Sequence, residues 1–288
     1  MAKILAIGIA TLDIINLVDS YPDEDSEIRA LSQSVSRGGN ATNTLVVLSQ
    51  LGHECHWAGV LINEPDTQLI HDDLNHYHIN TSACRVLTNG KIPTSYITVS
   101  QQTGSRSIVH HRDCPEFAFT DFQQIQLDQF DWIHFEGRNI EQTKMMLEWL
   151  AAQHPDIPCS LEIEKPRTDI EILFSSPSVL MFSQDYASHH GYSDAETFLQ
   201  SLPFHMTASC SWGNKGAWLS TRGKIIHSPA YPPLQVVDTL AAGDTFNAGL
   251  INGIINGLSI EQNLAQACCL AGQKCGQQGL ANLTTVDV

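Results

Sequence analysis

The chain has 288 residues, and its 15 Lys and Arg against 31 Asp and Glu give a formal net charge of −16 at pH 7. That length suits one large α/β unit, or one with a small appendage, able to bury a sizeable core. The acidity disfavours non-specific binding to nucleic acid or an anionic membrane, and no apolar run approaches the ~20 residues of a membrane span.

The apolar start, Met1 to Gly8, lacks a small-residue cleavage site and reads as strand rather than signal peptide, which predicts a cytoplasmic chain. Eight cysteines at 55, 84, 114, 159, 210, 268, 269 and 275 form no CxxC pair, so reduced thiols are expected. In that compartment the sequons at Asn40, Asn80 and Asn282 are read as chance.

Residues 4–9 read as a buried first strand, with Asp13 following at the edge where strand ends present ligands in open α/β sheets. Strand resumes over 14–18, turn chemistry fills 21–26, and alternation over 28–35 predicts the second arm of a small inserted hairpin. Arg37-Gly38-Gly39-Asn40-Ala41-Thr42-Asn43 then opens a helix that Gly52 stops. The paired glycines bring backbone close to a small ligand. Asn40 and Asn43 sit three apart, so both amides can project to one side of the first turn, where groups that both donate and accept suit hydroxyl recognition. On residues alone, a capping Asn40 and a solvated Asn43 fit as well.

Residues 56–61 predict a second core strand and 66–78 a helix. A second hairpin is expected over 94–100 and 106–110, with its tip at 101–105. Arg106 is a rare cation there, either a phosphate partner or an ordinary exposed strand residue. From here helix and strand alternate. Helix is expected from Thr120, strand over 132–136, helix over 141–153, strand over 159–164, a helical stretch over 169–174, strand over 179–183, helix over 195–202 and strand over 206–211. A turn at 212–216, two short strands over 217–220 and 224–227, and helices over 243–256 and 259–275 complete the chain. The alternation predicts a mostly parallel sheet with helices on both faces.

The stretch Val236-Val237-Asp238-Thr239-Leu240-Ala241-Ala242-Gly243-Asp244-Thr245-Phe246-Asn247 organises this pattern. Two β-branched residues are read as a strand end, then a small-residue turn, then a helix start. Ala241, Ala242 and Gly243 leave their backbone N–H groups open to an anion, helped by the helix dipole. Asp244 inside such a nest suits a base that takes a proton from an attacking hydroxyl while the N–H groups hold a migrating phosphoryl group. An isolated Asp-Thr at a helix start is ordinarily a cap; the whole run favours the catalytic reading.

Neither GxxxxGK[ST] nor GxGxxG is present, which disfavours a P-loop kinase and a Rossmann dehydrogenase. The thirteen histidines show no zinc-like spacing, Cys268, Cys269 and Cys275 read as core of the last helix, and no GxSxG elbow is present. No metal ligand is assigned.

Gly38-Gly39-Asn40 with Asp238-Thr239-x-Ala-Ala-Gly-Asp244 resembles both signatures of the PfkB/ribokinase sugar-kinase family. Five further blocks are similar to its ketohexokinase (fructokinase) subgroup: Asp23-Glu24-Asp25-Ser26-Glu27-Ile28-Arg29, Arg37-Gly38-Gly39-Asn40-Ala41, Trp132-Ile133-His134-Phe135-Glu136-Gly137-Arg138-Asn139, Glu162-Ile163-Glu164-Lys165-Pro166-Arg167 and Cys275-Gly276-Gln277-Gln278-Gly279. They span nearly the whole chain.

The resemblance implies a ribokinase-like α/β fold in one domain over 1–288, with a small β-sheet lid built from insertions at about 13–36 and 92–111. It implies ATP-dependent phosphorylation of a sugar primary hydroxyl, of fructose or a related ketose, with ribose, a phosphorylated sugar or a nucleoside as alternatives. A non-catalytic sugar- or nucleotide-binding protein is the contrasting reading. Position by position, the resemblance gives Asp13, Gly39, Asn40 and Asn43 to the sugar hydroxyls. Asp25 would reach from the lid, into a partner's site if the lids of two subunits clasp. Asp244 would be the base. Arg106 would meet ATP phosphates, and Gly213, Asn214, Lys215, Gly216, Ala241, Ala242 and Gly243 would line the nucleotide site. ATP and Mg2+ are the implied cofactors, a K+ requirement stays open, and a homodimer through the lid is the implied assembly. Two positions depart from the pattern. Ala241 stands where ketohexokinases usually carry glycine, and Ser183-Gln184-Asp185-Tyr186 replaces an Asn-x-x-Glu motif that helps organise magnesium.

Overall fold

The structure, a computed structural model, describes residues 1–284. In chain order its strands are β1 (Lys3–Ile7), β2 (Thr11–Val18), β3 (Ser32–Gly38), β4 (Glu54–Ala58), β5 (Val60–Ile62), β6 (Arg85–Leu87), β7 (Lys91–Ser100), β8 (Arg106–Asp113), β9 (Trp132–Glu136), β10 (Cys159–Ile163), β11 (Val179–Phe182), β12 (Ala208–Ser211), β13 (Ala217–Thr221) and β14 (Lys224–Ser228). Its α-helices are α1 (Asn40–Gln50), α2 (Pro65–His76), α3 (Phe119–Phe122), α4 (Ile140–Gln153), α5 (Gln184–His189), α6 (Ala195–Ser201), α7 (Ala242–Ile255) and α8 (Ile260–Cys275).

Eight strands form the large sheet in the order β14-β13-β12-β11-β10-β9-β1-β4. From β4 to β12 every pairing is parallel, and β13 and β14 add an antiparallel edge. Period-two side-chain alternation splits β1 between two cores. Ile4 and Ala6 join Leu45, Val46, Phe246 and Leu264, from α1, α7 and α8. Leu5 and Ile7 join Met146, Leu147, Phe198 and Leu199, from α4 and α6. Helices therefore cover both faces, which is why the parallel strands are near-continuous apolar runs.

A second sheet of four strands runs β3-β2-β7-β8. Each hairpin is antiparallel within itself, and β2 and β7 join the two in parallel, with Ile14 opposite Tyr96.

Several boundaries differ from the sequence reading. The first hairpin's second arm begins at Ser32, and residues 24–31 carry no strand: Ile28 and Leu31 stay exposed, and Leu31 makes a single backbone bond, its N–H to the Leu17 carbonyl at 2.7 Å. Asp13 lies within β2 rather than in a connection before it. The expected strand over 56–61 breaks at Gly59: its first half pairs with β1 and its second half with β6 in a separate two-stranded sheet. Val236 and Val237 form no strand at all. Both are more than half exposed, and the Val237 N–H instead reaches the carbonyl of Cys275, so β propensity loses to the absence of a neighbour. The helical stretch over 169–174 is a single 3₁₀ turn, Ile170–Leu173, and Gln184 opens a short helix capped by Ser183.

Helix α7 is buried on nearly all sides, as its apolar run requires. Gly249 lets α8 close on it: a Cβ there would come 2.7 Å from the Ala267 Cα. This tight crossing fixes the N-terminus of α7 at the C-terminal edge of the sheet.

Candidate active site

A cavity of about 1040 Å3 opens between that sheet edge, the N-termini of α1 and α7, and the second sheet. It brings together most of the residues singled out from sequence: Asp13, Gly39, Asn40, Asn43, Arg106, Ala241, Ala242, Gly243 and Asp244 all line it. Asp25 does not; it is exposed in the 19–31 loop with a left-handed φ of 58°. Gly213, Asn214, Lys215 and Gly216 also lie outside it, although neighbouring Ser211 is on its wall. The first three are exposed in a 3₁₀ turn, and Gly216 is where the chain turns back tightly over the Ser228 carbonyl.

The anion-facing end is built from backbone. Ala241 takes a left-handed conformation, φ 60° and ψ 15°, and α7 starts immediately after it. The N–H groups of Ala241, Gly243 and Asp244 make no hydrogen bond within the described residues. Successive N–H groups around a left-handed residue form a nest for an anion, and the helix N-terminus reinforces it. A Cβ added at Gly243 would meet nothing within 4 Å, so the space above its backbone is open for a ligand atom.

Asp238, in the motif ahead of this turn, is committed to structure. Its Oδ2 takes the Lys274 Nζ at 2.7 Å and its Oδ1 takes the Leu240 N–H at 2.9 Å. Lys274 is buried and also donates to the Asp238 carbonyl at 3.0 Å. This ion pair ties the turn to the end of α8.

Asp244 is buried at the cavity floor. Its Oδ2 accepts from Asn43 Nδ2 at 2.7 Å, and its carbonyl accepts from the Thr44 hydroxyl at 3.3 Å. Burial pushes its carboxyl up to about 7. The Asn43 hydrogen bond opposes that rise, the charges of Glu164 and Glu136 add to it, and Arg37 opposes it.

The two amides do not simply point at open space. Asn40 donates to Glu164 Oε2 at 3.0 Å, while Asn43 bridges Arg37 and Asp244. Gly38 and Gly39 are required here. A Cβ on Gly38 would lie 2.1 Å from Asp13 Oδ2. Gly39 has φ 107°, and a Cβ on it would lie 2.2 Å from the Ile9 carbonyl. Asp13 in turn accepts from the Thr11 hydroxyl at 2.8 Å.

Several side chains at this site had no role assigned from sequence, although some sit in the quoted blocks. Glu136 and Glu162 end β9 and β10. Glu162 accepts from Asn247 Nδ2 at 3.0 Å, while its buried Oε2 has no partner among the described residues. Burial, then the Asp244 charge, raises the Glu162 carboxyl well above the usual range. Glu136 holds the Ile9 N–H at 3.0 Å and Arg138 Nη1 at 2.7 Å, and burial raises its carboxyl. Arg138 also pairs with Glu116 at 3.1 Å, which pairs with Arg112 of the second sheet. Arg167, like Arg106, lines the cavity with no ion pair among the described residues. The local cue for the carboxylates is position: acidic residues ending apolar strands point to a ligand edge. The Arg37–Asp73 and Lys274–Asp238 pairs each span 36 residues, and no local pattern signals them.

The pfkB family of carbohydrate kinases matches residues 1–286. Ketohexokinase of Mus musculus is 40% identical over 96% of this chain and 97% of its own length. Ribokinase of Bacillus subtilis is 22% identical over 97% of the chain and 96% of its own. Among solved structures, Arabidopsis thaliana ribokinase complexed with ribose and ATP superposes with a TM-score of 0.81 at 20% identity, covering 96% of this chain and 94% of that one. Ribokinase from Giardia lamblia gives 0.83 at 15% identity, with 97% and 96% covered.

Proposed function

The chain belongs to the pfkB family of carbohydrate kinases and is an ATP-dependent carbohydrate kinase, and we propose that it phosphorylates a primary hydroxyl of fructose or a related ketose. The observation that carries this reading is the pairing at the start of α7: a buried carboxylate, Asp244, one residue from open backbone at Gly243. The relation to a ketohexokinase at 40% identity supports the ketose.

In this mechanism Asp13, Asn40 and Asn43 orient the sugar hydroxyls. Asp244 in its ionised form accepts the proton of the attacking hydroxyl. That oxygen forms a bond to the γ-phosphorus as the bond to the bridging oxygen of ADP breaks, and ADP leaves with the electron pair. The free N–H groups of Ala241, Gly243 and Asp244 hold the charge of the phosphoryl group in flight. Arg106 and Arg167 supply cations for the nucleotide phosphates. Gly213, Asn214, Lys215 and Gly216, outside the cavity, are proposed to meet the rest of the nucleotide.

Mg2+ neutralises the phosphate charge when bound with ATP. The unpartnered Glu162 Oε2 fits a cation held mostly by phosphates and water, and among the described residues no cluster of three or more ligating side chains would hold a metal alone.

The second sheet is proposed as a lid, formed by residues about 13–36 and 92–111, that excludes water during transfer. A homodimer through this lid is proposed with it. Val35, Ile14, Tyr96 and Val109 lie in register across all four strands. Val35, Tyr96 and Val109 are 44, 47 and 69% exposed. An apolar row across a solvent-facing sheet fits a second copy. Asp25, away from its own cavity, is proposed to serve the partner's.

Among the described residues no helix is long and apolar enough to cross a membrane, and a cytoplasmic setting is proposed. The test is ADP release across fructose, ribose, a phosphorylated sugar and a nucleoside, with the product identified by NMR. A ketose phosphorylated at a primary carbon is expected. Turnover on none of them, or preference for a nucleoside, contradicts the reading.

A further inference from the structure

Arg37 is buried at the end of β3, its side chain 4% exposed. Its guanidinium pairs through Nε with Asp73 of α2, and its Nη1 donates to Thr42 Oγ1 at 2.8 Å and to Asn43 Oδ1 at 2.7 Å. Asn43 passes the contact on, its Nδ2 donating to Asp244 Oδ2 at 2.7 Å. An amide has one accepting end and one donating end, and left alone beside a carboxylate it can turn either way. A guanidinium only donates. With Oδ1 committed to it, the Nδ2 end must face Asp244.

We propose that Arg37 is a positioning residue for phosphoryl transfer, acting through the Asn43 amide to hold the Asp244 carboxylate toward the acceptor hydroxyl. This rests on the reading of Asp244 as the base. The intervening amide matters chemically. A guanidinium paired directly with Asp244 would lower its pKa by about 1–3 units and weaken it as a base. A neutral amide between them fixes the carboxylate without forming that ion pair. The acidic groups that raise Asp244 most are Glu164 and Glu136, and its charge in turn raises Glu162. Arg37 offsets them from one side chain away, while Arg106, Arg112, Arg138, Lys165, Arg167 and Lys274 line the same cavity. Asp73 anchors the far end of the fork, so the orientation of Asn43 is set by α2 and β3 together.

The test is a double-mutant cycle of Arg37→Lys and Asn43→Ala, measured as kcat, KM and pH profile, beside the thermal midpoint of each variant. Lysine keeps the charge but cannot span Asp73 and Asn43 with one planar fork. Arg37→Lys is expected to lower kcat by about tenfold or more, with the KM for ATP unchanged, and to move the acid limb of kcat/KM to higher pH. Added to Asn43→Ala, it is expected to change kcat by less than about twofold, because the contact it acts through is gone. Multiplicative losses, or an Arg37→Lys kcat within about twofold of wild type, overturn the proposal. A purely structural role would lower the thermal midpoint while leaving the acid limb in place, which also overturns it. If Arg37→Lys does not fold, Asp73→Asn takes its place in the cycle and is judged by the same non-additivity. A wild-type protein without sugar-dependent turnover would overturn this inference and the kinase reading together; an active wild type with additive variants overturns this inference alone.

Discussion

Asp244, the proposed base, is made more basic by burial and by neighbouring carboxylates. With its carboxyl raised to about 7, kcat/KM is expected to fall roughly tenfold per pH unit below that value, as the carboxyl takes up a proton. A pH–rate profile on fructose checks this, and a profile flat down to pH 5 contradicts it. The same shift has a cost in stability. Between about pH 4 and 7 the folded carboxyl keeps a proton that the unfolded chain releases. Stability of the ligand-free protein therefore declines as pH rises through that window. Asp244→Asn is expected to make that decline shallower, with the share of the raised Glu162 and Glu136 carboxyls left in place, measured as the midpoint of urea unfolding against pH. Gly243 separates chemistry from folding in another way. Gly243→Ala meets no protein atom, and alanine favours a helix over glycine by about 1 kcal/mol. The variant is expected to keep or raise its thermal midpoint and lose at least ~100-fold in turnover, because the new methyl occupies the space for the phosphoryl group. Asp244, Asn43 and the small-residue turn were legible in the sequence because they sit in one or two short runs. Arg37, Glu162 and Lys274 gained their roles only from contacts made by folding, with partners up to 85 residues away in the case of Glu162.

At the scale of elements, the turn before α7 depends on two devices. One is the left-handed Ala241, a conformation that costs an alanine about 1 kcal/mol or more relative to glycine. The other is the Lys274–Asp238 pair, which holds the turn in place against α8. Lys274→Met would leave the mostly buried Asp238 carboxylate without its cation, held only by the Leu240 and Gly279 N–H groups. It is expected to lower stability by about 3–5 kcal/mol in denaturant unfolding, with part of that recovered when Asp238→Asn is added. A loss within experimental error would mean that the pair does not hold the turn. Element type was read correctly where periodicity ran long, as in α4, α7 and α8. It failed at Val236 and Val237, where local β propensity had no strand to pair with, and at Gly59, where one apolar run serves two sheets. Pairing is a tertiary property, and composition within a run does not contain it.

At the scale of the molecule, the large sheet supplies an edge and the small sheet, the proposed lid, faces the same cavity. Alternation of strand and helix was enough to predict the first. The two hairpins were also visible, but their parallel joining through β2 and β7 was not, because the paired positions, such as Ile14 and Tyr96, lie 82 residues apart. That joining produces the outward row of Val35, Ile14, Tyr96 and Val109. Val109→Lys is expected to convert a dimer to a monomer in light scattering at micromolar concentration. A wild-type monomer, or a variant that still dimerises, contradicts the assembly proposed here and with it the service of Asp25 to a partner. The mechanism itself depends on one carboxylate. The measurement that tests it most directly is fructose-dependent ADP release by Asp244→Asn at pH 8, on protein shown to be folded by its unfolding midpoint. A kcat lower by about two to four orders of magnitude is expected, with the midpoint preserved or raised. A folded variant within tenfold of the wild-type rate would contradict it.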